Sequence, residues 1–243
     1  MLPYRDFYYP LNVFMHVLTL EEGGVTALHY GLFEDPDDSI ALAQERSTEL
    51  LLSRLPKPPA TLLEVGIGLG TTLERLTRMG YDVEGITPDE KQIAMAPQGL
   101  RIHHSTFESF QTDRTYDVIV FQESSQYIDS ARLFERARDL GQRVVVLDEF
   151  ALKEMHSLHT LERFLAEAEL HGFKLVEEID LSKKAAPTVA YFTARLPRYR
   201  QALITDLGLT DAHVDELVEN GERYFASYED GTYGYRFLDF VKV

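Results

Sequence analysis

"LLEVGIGLGTTLERL" (residues 62–76) decides the fold. An apolar run leads into three glycines at alternate positions, Gly66, Gly68 and Gly70, and a helical pattern follows. Open parallel sheets bind ligands beyond the carboxyl ends of their strands, which is where such a loop sits. The pattern is G-x-G-x-G. Thr71 stands where a dinucleotide fingerprint has its third glycine, and no Lys-Ser or Lys-Thr follows to make a phosphate-cradling loop. The glycines serve either a tight turn with positive φ or a ligand lying against bare backbone. Thr71 with Glu74 reads as a capping box, Leu73, Leu76 and Met79 as the inward face, and Gly80 as the helix stop.

Outward from this loop, short apolar runs alternate with helical patterns. The predicted strands are 61–66, 82–87, 100–104, 116–122, 143–150, 173–181 and 235–243. The first, fourth and fifth are almost continuously apolar, as buried central parallel strands are. Repeated strand–helix units imply an α/β fold with a parallel sheet covered on both faces. Two stretches fall outside the alternation. Residues 1–58 hold a predicted helix that starts at the acidic run Asp35–Asp38, with Leu42, Leu50, Leu51 and Leu55 as its buried stripe. Residues 183–233 are helical by pattern and precede the last strand, 234–243. The reading is one domain: an N-terminal helical lid (1–58), a core (59–182), a helical insertion (183–233) and a closing strand.

Composition narrows the function. Forty acidic residues against 24 basic ones leave a formal charge of −16, which repels nucleic-acid backbones and anionic membrane surfaces. There is no cysteine, which removes disulfides, thiolate metal sites and cysteine nucleophiles together. The apolar run near residue 10 is too short to span a bilayer and Pro10 interrupts it. These features point to a soluble, cytoplasmic protein without integral membrane association. His103 and His104 are neighbours on a strand and face opposite ways, so they do not chelate one metal. His156 and His159 read as a solvated helix face, and no metal is expected.

Four motifs in order carry a family resemblance. "LLEVGIGLG" resembles motif I of the class I S-adenosylmethionine-dependent methyltransferases. "GITPDEKQ" and "FQESSQYI" are similar to the second-strand and fourth-strand segments of the cyclopropane-fatty-acid-synthase, sterol and tocopherol methyltransferase relatives. "LHYGLF" resembles the segment that reaches over the cofactor in those relatives. The resemblance implies a Rossmann-like, seven-stranded, mostly parallel sheet whose last strand inserts antiparallel between the fifth and sixth. It implies S-adenosyl-L-methionine as cofactor, S-adenosyl-L-homocysteine as product and a small-molecule methyl acceptor as partner. The implied cofactor residues are Tyr30, Glu64, Gly66, Gly68, Gly70, Thr87, Pro88, Gln92, Thr106, Phe107 and Gln122.

Several of these have a second explanation. Thr87, Pro88 and Glu90 also read as a cap, a first-turn proline and a capping-box partner. Phe107 either stacks on the adenine or packs in the core. Glu123, after the fourth strand, is the first catalytic candidate, either as a base or as an acid that orders its loop. Tyr127 either faces the acceptor or packs, and Asp148, ending the fifth strand beside Glu149, either meets the acceptor or caps the next segment. The expected reaction is in-line methyl transfer. A cyclopropane-synthase-like lipid enzyme and a non-catalytic cofactor-binding protein are the alternatives.

Overall fold

Seven strands of the computed structural model, which describes residues 2–153 and 158–243, form one sheet. They are β1 (Thr61–Val65), β2 (Asp82–Thr87), β3 (Ile102–His104), β4 (Val118–Gln122), β5 (Arg143–Ala151), β6 (Phe173–Asp180) and β7 (Tyr233–Lys242). The helices are α1 (Leu11–Glu22), α2 (Ile40–Arg54), α3 (Thr71–Arg78), α4 (Glu90–Met95), α5 (Ser130–Leu140), α6 (Leu161–Leu170), α7 (Ser182–Ala185), α8 (Pro187–Arg195), α9 (Arg200–Leu207) and α10 (Asp211–Glu229). Strand order is β3-β2-β1-β4-β5-β7-β6, with β7 antiparallel to both neighbours and the rest parallel. This is the architecture the resemblance implies. Strand bounds differ from expectation by a few residues.

The chain divides into two compact units: one runs up to Ser47 and includes Lys183–Asp230, and the other holds Thr48–Ser182 and Gly231–Val243. In the sheet unit, Leu63, Val65, Phe121, Val146 and Phe240 present one apolar face to α5 and α6. Phe134 of α5 meets the rings of Phe164, Phe173 and Phe240 at 4.9, 5.7 and 5.3 Å. Each ring so buried contributes about 1.5–3 kcal/mol, so this face is the sheet unit's main anchor.

In the helical unit, Val13 and Val17 of α1 pack with Leu196, Leu203 and Val214, while Leu18, Phe33, Ile40, Ala43 and Tyr191 form a second cluster. A chain of polar groups runs from the buried Tyr4 hydroxyl to buried His16 Nδ1 (2.9 Å), and from His16 Nε2 out to exposed Asp206 (3.0 Å). Gly31 is a glycine because of crowding: a Cβ there would lie 2.5 Å from that of Ala43.

Three local readings are corrected. α2 starts at Ile40, because Asp38 folds back to accept from the Glu34 and Asp35 amides, both at 2.9 Å. Its buried stripe runs through Ile40, Ala43, Leu51 and Leu52, with Leu42 exposed and Leu55 buried just past its end. Met79, expected inward, is 44% exposed past the end of α3. His159 precedes α6, whose cap is Thr160, so it is not on that helix; its Nε2 lies 2.7 Å from the Ile128 carbonyl oxygen. His156 lies outside the described residues. Among the described residues no helix is long and apolar enough to cross a membrane, and no cluster of three or more His, Asp or Glu could hold a metal ion.

Candidate functional site

The loop from β1 into α3 holds Gly66, Gly68 and Gly70 at φ 77°, 53° and 75°, all in the left-handed region that L side chains avoid. Gly66 is also enforced by its neighbour, since a Cβ there would stand 2.5 Å from that of Ser124. Gly70 is the N-cap of α3 and brings no side-chain cap. The expected Thr71–Glu74 capping box is therefore absent. Left-handed Gly70 turns the chain into the helix one residue early, and Glu74 instead pairs with Arg78 at 2.6 Å. The first amides of α3 have no side-chain acceptor, which is the condition that suits an incoming anion.

Register places the polar groups around this loop. Leu63, Val65, Ile86 and Phe121 belong to the apolar cluster under the sheet. Alternation then puts Glu64, Gly85, Thr87 and Gln122 together on the opposite face, because Glu64 pairs with Gly85 and with Val120. Glu64 is 2% exposed, and its Oε2 has no hydrogen-bond partner. Burial pushes its carboxyl up to about 8. Gln122 accepts from Thr72 Oγ1 at 3.1 Å through Oε1, and its buried Nε2 has no partner. A buried acceptor and a buried donor are thus left open on one face beside three left-handed glycines. Buried polar atoms without partners are uncommon and ask for a ligand.

At the end of β2, Thr87 donates to Gln92 Oε1 at 2.6 Å, so these two predicted residues do meet. The capping box expected at Thr87 and Glu90 is not formed. Asp89 is the N-cap of α4 and accepts from the Lys91 amide at 2.8 Å. The Pro88 carbonyl lies 3.0 Å from His104 Nε2. Thr106 is exposed and shares a hydrogen bond with Ser109 at 2.8 Å. Phe107 resolves to the core alternative. It is 2% exposed, belongs to the apolar cluster under the sheet and meets Phe121 edge-to-face at 5.3 Å.

The catalytic candidates separate. Glu123, one residue beyond β4, has φ 55° without being glycine. Such conformations persist where surroundings impose them, and they cluster at functional sites. The Tyr235 hydroxyl, fully buried on β7, donates to Glu123 Oε1 at 2.6 Å. Burial and the nearby carboxylates push the Tyr235 phenol well above its usual range, so its proton stays on. Asp148 is buried inside β5. It shares a face with Val144, Val146 and Phe150 of the apolar cluster, the other side of the sheet from Glu64 and Gln122. Its carboxylate accepts from the Ser125 amide (2.9 Å) and hydroxyl (2.6 Å) and from the Glu149 amide (2.9 Å). Burial raises it to about 6 against those bonds. Asp148 therefore orders the turn after β4. Tyr127, in that turn, is 75% exposed. Tyr30 lies in the helical unit, where it lines an apolar cavity.

Sequence reasoning did not find Tyr235, Thr72 or Ser125. Tyr235 sits 112 residues from Glu123, and no local pattern ties them.

Residues 63–143 match the family model of a methyltransferase domain. An O-methyltransferase from Pyrenophora dematioidea is 39% identical over 74 residues, 28% of this chain and 28% of its own length. The hydroxymycolate synthase MmaA4 of Mycobacterium bovis is 34% identical over 110 residues, 42% of this chain and 34% of its own length. The chain thus spans about a third of the curated relatives it matches. A candidate sarcosine dimethylglycine methyltransferase from Galdieria sulphuraria has the same fold, with a TM-score of 0.80, 17% identity, and 95% and 97% of the two chains covered.

Proposed function

We propose that this chain is a class I S-adenosylmethionine-dependent methyltransferase that transfers a methyl group from S-adenosyl-L-methionine to a small-molecule acceptor, a reading supported by the methyltransferase-domain match over residues 63–143 and by the shared fold. The observation that carries this reading is the pair of unpartnered buried groups, Glu64 Oε2 and Gln122 Nε2, on the face beside the glycine loop. The cofactor has an ammonium group that a buried carboxylate suits. It also has a carboxylate that the uncapped amides of α3 suit, and no phosphate that would call for a lysine. When bound, S-adenosyl-L-methionine supplies a methyl group already activated on a sulfonium. Thr87 and Gln92, joined to each other, close the end of β2 where a ribose acid would otherwise stand. The charge of −16 favours a small acceptor over nucleic acid.

The protein's remaining work is to hold the acceptor in line and, where the acceptor starts protonated, to take its proton. Glu123 is the group for that step. Tyr235 is a positioning residue that acts through it. Calorimetry should find one site per chain for S-adenosylhomocysteine and none for NAD; NAD binding without a response to S-adenosylhomocysteine would end this reading. Methyl transfer is then read with labelled cofactor against candidate acceptors. Glu123→Gln should lower kcat by about 10²-fold or more with S-adenosylhomocysteine affinity nearly unchanged. Tyr235→Phe removes the hydroxyl that holds Glu123 Oε1 and should lower kcat with KM and S-adenosylhomocysteine affinity nearly unchanged, whereas a merely structural role would lower affinity and melting temperature together.

A further inference from the structure

We propose that the helical unit binds an uncharged, predominantly apolar small molecule in the open cavity between α1, α8 and α10. The cavity measures about 410 Å³. That is far above a packing void and within the ~300–1,000 Å³ of small-molecule sites. Its walls include Phe14, Leu18, Leu28, Val189, Phe192 and Leu196, and no Asp, Glu, Lys, Arg or His lines it. Two of its hydroxyls are already committed. Thr188 Oγ1 accepts from the Gly31 amide at 3.0 Å, and Thr193 Oγ1 donates to the Val189 carbonyl at 2.8 Å. Asn220 and the phenols of Tyr9, Tyr30 and Tyr224 are the other polar side chains on the wall. An ion placed there would lose its hydration without an opposite charge on the wall to replace it.

The cavity is shaped by a specific close approach. Gly221 stands inside α10, where glycine weakens a helix. A Cβ at that position would lie 2.1 Å from Thr193 Oγ1. Glycine there lets α8 and α10 meet beside the cavity. The binding of this molecule and its chemical class stand on the cavity alone.

The test titrates the full chain with N-phenyl-1-naphthylamine, an uncharged probe that fluoresces on burial, and displaces it with 2-naphthol, 2-naphthoate and 2-naphthylmethylammonium. The expected result is one saturable site from which 2-naphthol displaces the probe at least tenfold more effectively than either ion. Leu28→Phe and Val189→Phe, each filling the cavity, should weaken probe binding at least tenfold in chains that keep a cooperative melt. Absence of a saturable site, ions displacing as well as naphthol, or unchanged affinity in both folded variants would overturn the proposal. If a variant does not fold, the naphthol-to-ion ranking on the unaltered chain decides. Parallel calorimetry with S-adenosylhomocysteine separates the two readings. Loss of that response with the probe still bound removes the methyl-transfer reading, and the converse removes this one.

Discussion

Gly68→Val is expected to abolish S-adenosylhomocysteine binding, a loss of more than about 100-fold. Gly68 has φ 53° in the middle of the loop that carries β1 into α3. A left-handed backbone costs an ordinary L residue about 1–2 kcal/mol, and a β-branched side chain suits it worst. The valine also sets two methyl groups where the cofactor would lie against bare backbone. The measurement is calorimetric titration of the variant beside the unaltered chain, with thermal melts of both. A variant that melts normally and still binds within a few-fold would remove the glycine loop from the site.

The second large effect is at Glu64 and has a sign that pH reveals. Its carboxyl is pushed up to about 8 by burial, from an ordinary value of 4.5. The fold therefore favours the protonated form. Its contribution is fully present below about pH 4.5 and is lost as pH rises toward 8. Glu64→Gln keeps the shape and removes the ionisation. It should melt like the unaltered chain near pH 4 and be more stable at pH 8 by about 2–4 kcal/mol. The same change should weaken S-adenosylhomocysteine binding about 100-fold, because the ammonium loses its carboxylate partner. In the unaltered chain, binding ionises Glu64, so affinity should rise from pH 6 to 8 and a proton should be released into the buffer. Calorimetry in two buffers of different ionisation enthalpy reads that proton. Affinity that is flat across this range, with identical melts at pH 8, would show that Glu64 does not meet the ligand.

Where sequence reading succeeded, the signal was periodic or covalently local. The apolar runs of β1, β4 and β5 and the glycine spacing need only neighbours along the chain. Thr87 and Gln92 are five residues apart and do meet. The failures came where tertiary geometry chose between two local options. Thr71 has the chemistry of a cap, yet Gly70 in the left-handed conformation takes that place. Thr87 reads as a cap too, yet its hydroxyl goes to Gln92 and Asp89 caps α4. Asp148 lies inside β5 on the face of Val146 and Phe150 and holds the Ser125 turn, a placement that needs the register of β4 and β5. Phe107 is apolar enough for either role, and the ring of Phe121 decides. Tyr235 was legible as a strand residue but not as the partner of Glu123, because β7 reaches β5 only through the sheet order.

That sheet order sets a timetable on the ribosome. β5 and β6 never touch through a shared ladder; β7 lies between them and pairs with both. Until residue 242 has emerged, the apolar edge of β5 is bare, the kind of edge that other chains add to. The nascent chain must hold this sheet half-zipped across the 52 residues of helix and loop from 181 to 232, a long-range closure that folds slowly. Tyr235 travels on the same late strand, so the carboxylate of Glu123 meets its hydroxyl only when the zipper shuts. A chain released early lacks both the seam and this finishing contact, and is a natural client for chaperones that mask exposed strands.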